Sequence, residues 1–141
     1  MTGLVLKLKP NEKFLVNGVV LQNGPRAARI RIRTAGASVL RLRDALHPTA
    51  ANTSARRIYF FAQLAVAGSS TPDEASIAIS AVLPALRAVC RSEDEAALCD
   101  QLHGDATAHR FFSVMRTARR LFALEDERER GAVATLATKA G

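Results

Sequence analysis

Polar and aliphatic residues alternate along two neighbouring segments near the N-terminus, residues 28–34 and 38–43. Side chains of a β-strand point alternately to its two faces, so both segments are predicted to be strands with one aliphatic and one basic face. The aliphatic faces carry Ile30, Ile32, Leu40 and Leu42. The basic faces carry Arg29, Arg31, Arg33, Arg41 and Arg43.

Two earlier segments are also typical of strands. Residues 3–9 alternate towards their end, and residues 14–22 are apolar on both parities, which predicts a strand buried on both faces. Gly18 within it indicates a bulge, a bend or a close backbone contact. Turns are predicted at 10–13, 23–25 and 35–37. The first 45 residues therefore predict an antiparallel meander of four strands.

Helical patterns begin after a linker at residues 44–52. Asn52 or Thr53 caps a helix that runs to about residue 67, and Gly68 ends it. A capping box predicts a second helix over 72–91, which Pro84 should kink or split near residue 80. A third helix is predicted from Ser92 to about residue 103, stopped by Gly104. A fourth is predicted over 105–130.

The predicted fold class is α+β, an N-terminal antiparallel meander followed by a bundle of three to four helices. Residues 1–130 form a single domain, with a β part at 1–45 and a helical part at 52–130. Residues 131–141 are small and weakly patterned, which predicts a flexible tail.

The distribution of charge adds a functional direction. The net charge is +7, and residues 1–58 hold 11 Lys and Arg against 2 Asp and Glu. Residues 59–141 hold 9 against 11. The basic excess therefore lies wholly in the first part of the chain, and it favours a polyanionic partner, either a nucleic acid or an acidic membrane surface.

The arginines on one sheet face are the strongest candidate site. Arginine donates two parallel hydrogen bonds to phosphate, so the stripe predicts RNA binding; the alternative is an ordinary solvated face. No aromatic residues interleave with it, so we expect contact with phosphates rather than base stacking. The predicted RNA-binding residues are Arg29, Arg31, Arg33, Arg41, Arg43, Arg56, Arg57, Lys7, Lys9, Lys13 and Arg26.

Other chemistry is weakly supported. Cys99, His103 and His109 match no zinc spacing, and no catalytic motif or phosphate-binding glycine loop is present, so we expect neither enzyme activity nor a metal or other cofactor. Cys90 and Cys99 are expected to be small buried thiols. The longest apolar stretch, residues 58–67, is about half the ~20 residues that span a bilayer, and the N-terminus lacks a signal-peptide pattern. We expect a cytoplasmic protein.

Several stretches together resemble the FlbT family of flagellar biosynthesis regulators: LKLKPNEKFLVNGVVLQNG at 6–24, ASVLRLRDAL at 37–46, NTSARRIYF at 52–60 and ALEDER at 123–128. The resemblance covers the chain to about residue 130. It implies post-transcriptional repression of flagellin synthesis, through association with the 5′ untranslated region of flagellin mRNA and promotion of its decay. It also implies FlaF, and further flagellin itself, as protein partners.

An alternative hypothesis is a protein-interaction module or chaperone that binds flagellin or FlaF without contacting RNA. The apolar strand 14–22 and the last helix motivate it. The end of that helix, EDERER, is either a solvated helix end or a docking surface for a protein. A sheet with open edges is also consistent with a homodimer.

Overall fold

The architecture comes from a computed structural model, which describes residues 4–17, 19–34, 36–37 and 39–140, with side chains up to residue 128. The described residues form an α+β fold, as predicted, with antiparallel strands followed by helices. The strands are β1 (Leu4–Leu8), β2 (Lys13–Val16), β3 (Val19–Gln22), β4 (Ala28–Ile32) and β5 (Val39–Arg41). The helices are α1 (Ser54–Val66), α2 (Pro72–Ala88), α3 (Glu93–Thr107) and α4 (Phe111–Ala140).

The segment predicted as one buried strand, residues 14–22, is instead the hairpin of β2 and β3. Val16 pairs with Val19, and Asn17 between them has a positive φ of 51°. Asn-Gly is the dipeptide that favours the tightest hairpin turns, because both central positions need left-handed φ. The role predicted for Gly18 lies outside the described residues. β3 is exposed along its whole length, so the prediction of burial on both faces is wrong.

The order of the strands differs from that of a meander. β1 pairs with β4 in a two-stranded ribbon, and β2 lies between β3 and β5 in a second sheet. All these pairs are antiparallel. The β2–β3 hairpin therefore lies between β1 and β4 in the sequence, although β1 and β4 pair directly with each other in the structure.

The three-stranded sheet lies between the ribbon and the helices. On one face, Phe14 and Val39 pack with Leu6 and Leu8 of the ribbon in a small core. On the other face, Leu40 joins the main core of the helices. Val39 and Leu40 are adjacent in sequence and both buried, because β5 is covered on its two sides.

The three predicted capping residues begin three of the helices. The side chain of Thr53 accepts a hydrogen bond from the Arg56 N–H, and Thr71 and Ser92 do the same for α2 and α3. α1 ends before Gly68, whose φ is +80°. These helix starts are confirmed because the hydroxyl at each site satisfies a backbone N–H that the helix leaves free.

Two helix ends predicted from the sequence do not occur. α2 runs through Pro84 without splitting, since Pro84 and Ser80 both face solvent and water can bind the Ser80 carbonyl that proline leaves unpaired. α3 continues through Gly104 to Thr107. Burial of Leu102 and Ala106, one turn apart, outweighs the ~1 kcal/mol that a helical glycine costs.

The boundary between the last two helices consequently moves. His109, with φ of 59°, ends the turn after α3, and α4 begins at Phe111 rather than at residue 105. α4 extends to Ala140, so residues 131–140 are helical in this structure. The flexibility predicted for residues 131–141 stays a prediction.

Candidate nucleic-acid interface

The outer face of the β1–β4 ribbon is basic. Lys7 pairs with Arg29 and Val5 with Arg31, so these side chains share one face. The opposite face buries Leu6 and Leu8 against the small core. Lys7, Arg29 and Arg31, which we call the basic ribbon, are exposed, and no acidic side chain in the described part of the chain forms an ion pair with them.

Arg41 and Arg43 do not continue this face. β5 belongs to the other sheet and ends at Arg41, where a 3₁₀ turn over Leu42–Asp44 begins. The alternation predicted for residues 38–43 is therefore wrong at its end, and Leu42 is exposed. Arg41 and Arg43 instead meet the Glu12 carboxylate, at 3.2 and 3.9 Å.

The Glu12 side chain is 8% exposed, and it bonds to several groups at this end of the sheet. Its Oε1 accepts a hydrogen bond from the Lys9 N–H at 2.9 Å. That bond, together with the charges of Arg41 and Arg43, holds the pKa of Glu12 below its ordinary value, although burial acts in the opposite direction. Glu12 thus stays ionised and fixes two arginines in place, while the Arg43 side chain keeps 52% of its surface exposed.

An open cleft of about 590 Å³ brings four cationic side chains together. Lys7 and Lys9 line it from the β1 side, and Arg41 and Arg43 line it from the β5 side. Its remaining lining residues are Val5, Leu8, Pro10 and Ala27. We call it the basic cleft. Lys7 belongs to both surfaces, so the basic ribbon and the basic cleft are continuous.

Two of the turns predicted from the sequence lie beside each other at this end of the sheet. The Asn11 N–H donates to the Gly24 carbonyl, and the Asn23 N–H donates to the Glu12 carbonyl, both at 2.9 Å. The Asn23 amide also donates to the carbonyls of Lys9 and Arg26. The turns at 9–13 and 22–26 are therefore held as one unit.

The other predicted cations are placed differently. Lys13 on β2, Arg26 in the second turn and Arg33 after β4 are all exposed on the β part. Arg57 is exposed on α1. The structure brings neither Arg56 nor Arg57 into the lining of the basic cleft.

Arg56 takes part in a network between α1 and α4 that we call the carboxylate clamp, formed by Thr53, Arg56, Glu125 and Asp126. Arg56 bonds to Asp126 at 2.9 Å, and the Thr53 hydroxyl donates to Glu125 at 2.7 Å. The Arg56 guanidinium also lies 4.6 Å from the centre of the Phe122 ring. The segment interpreted as a solvated helix end therefore begins with residues that pack against the start of α1.

Arg128 extends these contacts to the other helices. It donates to the Val89 carbonyl at 3.1 Å and pairs with Glu95. Burial alone would raise the pKa of Glu95, but hydrogen bonds from Arg128, the Arg91 N–H and Ser92 outweigh it and lower the pKa. The EDER segment thus joins α4 to the start of α1, the end of α2 and the start of α3. Its charged side chains therefore stabilise the packing of the helices.

Tyr59, which follows Arg56 and Arg57 closely in the sequence, is 3% exposed. Its hydroxyl donates to the Asp44 carbonyl and accepts from Arg119, both at 2.7 Å. Burial raises its pKa. The charge distribution did not single out Arg119 or its neighbour Arg116, because both lie far beyond the basic segment, residues 1–58.

The cysteine and histidine side chains are not gathered into a metal site. Cys99 is buried with its Sγ 3.3 Å from that of half-buried Cys90, and burial raises the pKa of the Cys99 thiol to about 12. His109 instead faces Asp73 at 3.3 Å. Among the residues described, no three His, Cys, Asp or Glu side chains are arranged to hold a metal ion. No helix in the same residues has the length and apolarity needed to cross a membrane.

Comparison with known proteins gives one consistent family. The family model described as flagellar protein FlbT matches residues 4–128. A probable flagellum biosynthesis repressor protein FlbT of Caulobacter sp. (strain K31) is 32% identical over 125 residues, covering 89% of this chain and 95% of that protein. No solved structure matches.

Two further relatives agree. The flagellum biosynthesis repressor protein FlbT of Caulobacter vibrioides is 31% identical over 125 residues, covering 89% of this chain and 88% of that protein. A probable repressor of the same kind from Bradyrhizobium diazoefficiens is 31% identical over 127 residues, covering 89% and 84%. The family is a regulatory one rather than a known enzyme family, in agreement with the sequence prediction. The family match spans both the basic β part and the carboxylate clamp, and the chain belongs to the FlbT family.

Proposed function

We propose that this chain regulates flagellin synthesis after transcription, by binding the 5′ untranslated region of flagellin mRNA and promoting its decay. The observation that carries the proposal is the basic cleft, in which Lys7, Lys9, Arg41 and Arg43 converge beside the basic ribbon. The names of the relatives, repressors of flagellum biosynthesis, support a regulatory role in the same process. Such a protein, acting in the cytoplasm, would couple flagellin production to filament assembly.

The chemistry of the surface favours a phosphate backbone. Lys7 on β1 and Arg29 and Arg31 on β4 place their donors on one face of two paired strands about 4.8 Å apart, and arginine suits phosphate because it donates two parallel hydrogen bonds. Glu12 pairs with Arg41 and Arg43, and no described acidic side chain forms an ion pair with Lys7, Arg29 or Arg31. These three cations can therefore bind phosphate without first breaking an ion pair. Release of counterions from RNA then supplies most of the affinity and makes it dependent on salt.

Titration of the protein against a flagellin leader RNA at 50 and 200 mM salt tests this proposal. With about five phosphates neutralised on single-stranded RNA, we expect affinity to fall about 100-fold between the two concentrations. An unrelated RNA of equal length is the control for sequence preference. Absence of binding at micromolar protein in low salt, or binding that does not respond to salt, would contradict the proposal.

A second candidate function, interaction with FlaF or flagellin, is favoured by β3. This edge strand exposes Val19 by 59%, Val20 by 62% and Leu21 by 41%. An open apolar edge is suited to pairing with a strand of another chain, including a second copy of this one.

The substitution Val20→Lys is expected to abolish micromolar binding of FlaF or flagellin in calorimetry without RNA, because lysine blocks pairing at an edge strand. Ile77→Lys is the matched control, since Ile77 is 71% exposed on α2. Equal binding by both variants would remove β3 as the docking edge. Light scattering that finds only monomer at working concentration would exclude the homodimer.

A further inference from the structure

A second cavity, of about 300 Å³, opens where the strands meet α1 and α4. Apolar side chains supply much of its wall: Leu4, Leu6, Val39, Leu40, Phe112 and Met115. Phe112 keeps 40% of its surface exposed, so part of this aromatic side chain is accessible to a ligand. The size is at the lower end of the range for sites that hold small organic groups.

The remaining lining is polar and charged: Arg41, Asp44, Tyr59, Arg116 and Arg119. The Asp44 side chain is 41% exposed, and its carboxylate lies 3.8 Å from Arg119, which is long for an ion pair. Arg116 donates one recorded hydrogen bond, to Ser113 within its own helix, so most of its guanidinium donors are left for a ligand. The cavity therefore offers one carboxylate acceptor and the donors of Arg116 next to apolar walls, while Arg41 and Arg119 are already bonded within the protein.

Arg41 lines both this cavity and the basic cleft. The linings of the two sites suit a ligand that joins an apolar group with polar edges to a phosphate. A nucleotide of an RNA strand has this construction, because an unstacked base can leave the strand while the backbone stays on the cations.

We propose that this cavity binds one unpaired guanine base of the RNA whose phosphates lie on the basic cleft; the inference rests on the proposed function. Guanine presents two neighbouring donors, N1–H and N2–H₂, which a carboxylate such as Asp44 accepts together. Its O6 and N7 are acceptors, and arginine is their commonest partner. Adenine carries an amino group in place of O6, and uracil offers a single N–H donor, so both match this lining less well.

This site would supply what the phosphate contacts lack. Contacts with phosphate hold the strand in position but carry no direct information about sequence. The basic ribbon has no aromatic residues among its cations, whereas the cavity has Phe112 at its mouth and Tyr59 in its wall. Selectivity for a leader RNA then arises at the junction of the strands with α4.

Three short RNAs test the inference: a uridine octamer, and the same octamer with one guanosine or one adenosine at the fourth position. Fluorescence anisotropy is expected to give about tenfold tighter binding for the guanosine octamer than for the other two. Asp44→Asn, which replaces one acceptor oxygen by a donor, is expected to remove this preference. Asp94→Asn, an exposed carboxylate on α3, is the matched control and should keep it.

Phe112→Ala is a second variant, and it leaves the buried core untouched because Phe112 is partly exposed. It should also reduce the preference for the guanosine octamer. Val89→Ala, at another exposed apolar position, is its control and should keep that preference. Equal affinity of the wild type for all three octamers, with the salt dependence retained, overturns the base site and leaves RNA binding standing. Failure of every RNA to bind, the leader included, removes both proposals. If Phe112→Ala weakens flagellin binding and spares the guanosine octamer, the cavity serves a protein partner and the inference is wrong.

Discussion

Replacement of Lys7, Arg29 and Arg31 by serine in one variant is expected to lower affinity for the leader RNA about 100-fold at low salt. Each side chain is exposed on the basic ribbon and forms no ion pair within the described part of the chain. Its loss is therefore expected to remove a phosphate contact without affecting the packing of the protein. A net contribution of about 1 kcal/mol from each charged contact gives this magnitude. The slope of log affinity against log salt should become shallower by about 2.

The matched control replaces Arg87, Arg91 and Arg120, three exposed arginines of the helical part, by serine. Both variants lose the same net charge, so a difference between them reports position rather than total charge. The control is expected to bind within about threefold of the wild type, the effect of screened long-range charge alone. Equal losses in both variants would show that affinity follows net charge and that the ribbon is not the binding surface.

Ile79→Ala is expected to lower the free energy of unfolding by about 3 kcal/mol and the melting temperature by roughly 10 °C. Ile79 is fully buried on α2, in the helical core that Leu40 of β5 also enters. Removal of three carbon atoms leaves a cavity that the packed helices fill only in part. Urea titration followed by circular dichroism measures the change.

Ile77→Ala is the matched control on the same helix. Ile77 is 71% exposed, so we expect its replacement to change the free energy of unfolding by less than about 0.5 kcal/mol. The two residues are the same type and two positions apart, so helix propensity contributes equally. Similar decreases in the free energy of unfolding at both positions would mean that α2 does not bury Ile79 while exposing Ile77.

Local features of the helical part could be predicted from the sequence. The helix starts at Thr53, Thr71 and Ser92 depend on one hydroxyl and one N–H a few residues away, and each was predicted correctly. The period of 3.6 residues likewise separates buried Ile79 from exposed Ile77. Interactions within one turn of the chain carry enough energy to be recognised in the sequence alone.

Features that depend on distant partners were not predictable in the same way. The pairing of β1 with β4 follows from the Asn17 turn, which folds residues 13–22 back on themselves and leaves β1 to find a later strand. Alternation identifies strands but does not say which neighbours they take. The continuation of α3 through Gly104 depends on a core built by other helices.

The candidate site was predicted in its composition but not in its geometry. The charge imbalance of residues 1–58 located the cations, and Arg29 and Arg31 face outwards as the alternation predicts. The convergence of Lys7 with Arg41 and Arg43 needed the observed strand order. Arg56, which lies in the same basic segment, was predicted to bind RNA, and its contacts with Glu125 and Asp126 could not be foreseen because these partners are 69 and 70 positions away in sequence.

The carboxylate clamp also bears on the order in which the protein is completed during synthesis. Thr53 and Glu125 are 72 positions apart. At 5 to 20 residues per second, the ribosome adds Glu125 roughly 4 to 14 seconds after Thr53. The strands and every cation of the basic cleft have left the peptidyl-transferase centre well before that. The clamp can therefore close only after Glu125 has been added, and a nascent chain that has not yet reached Glu125 already contains every cation of the basic cleft.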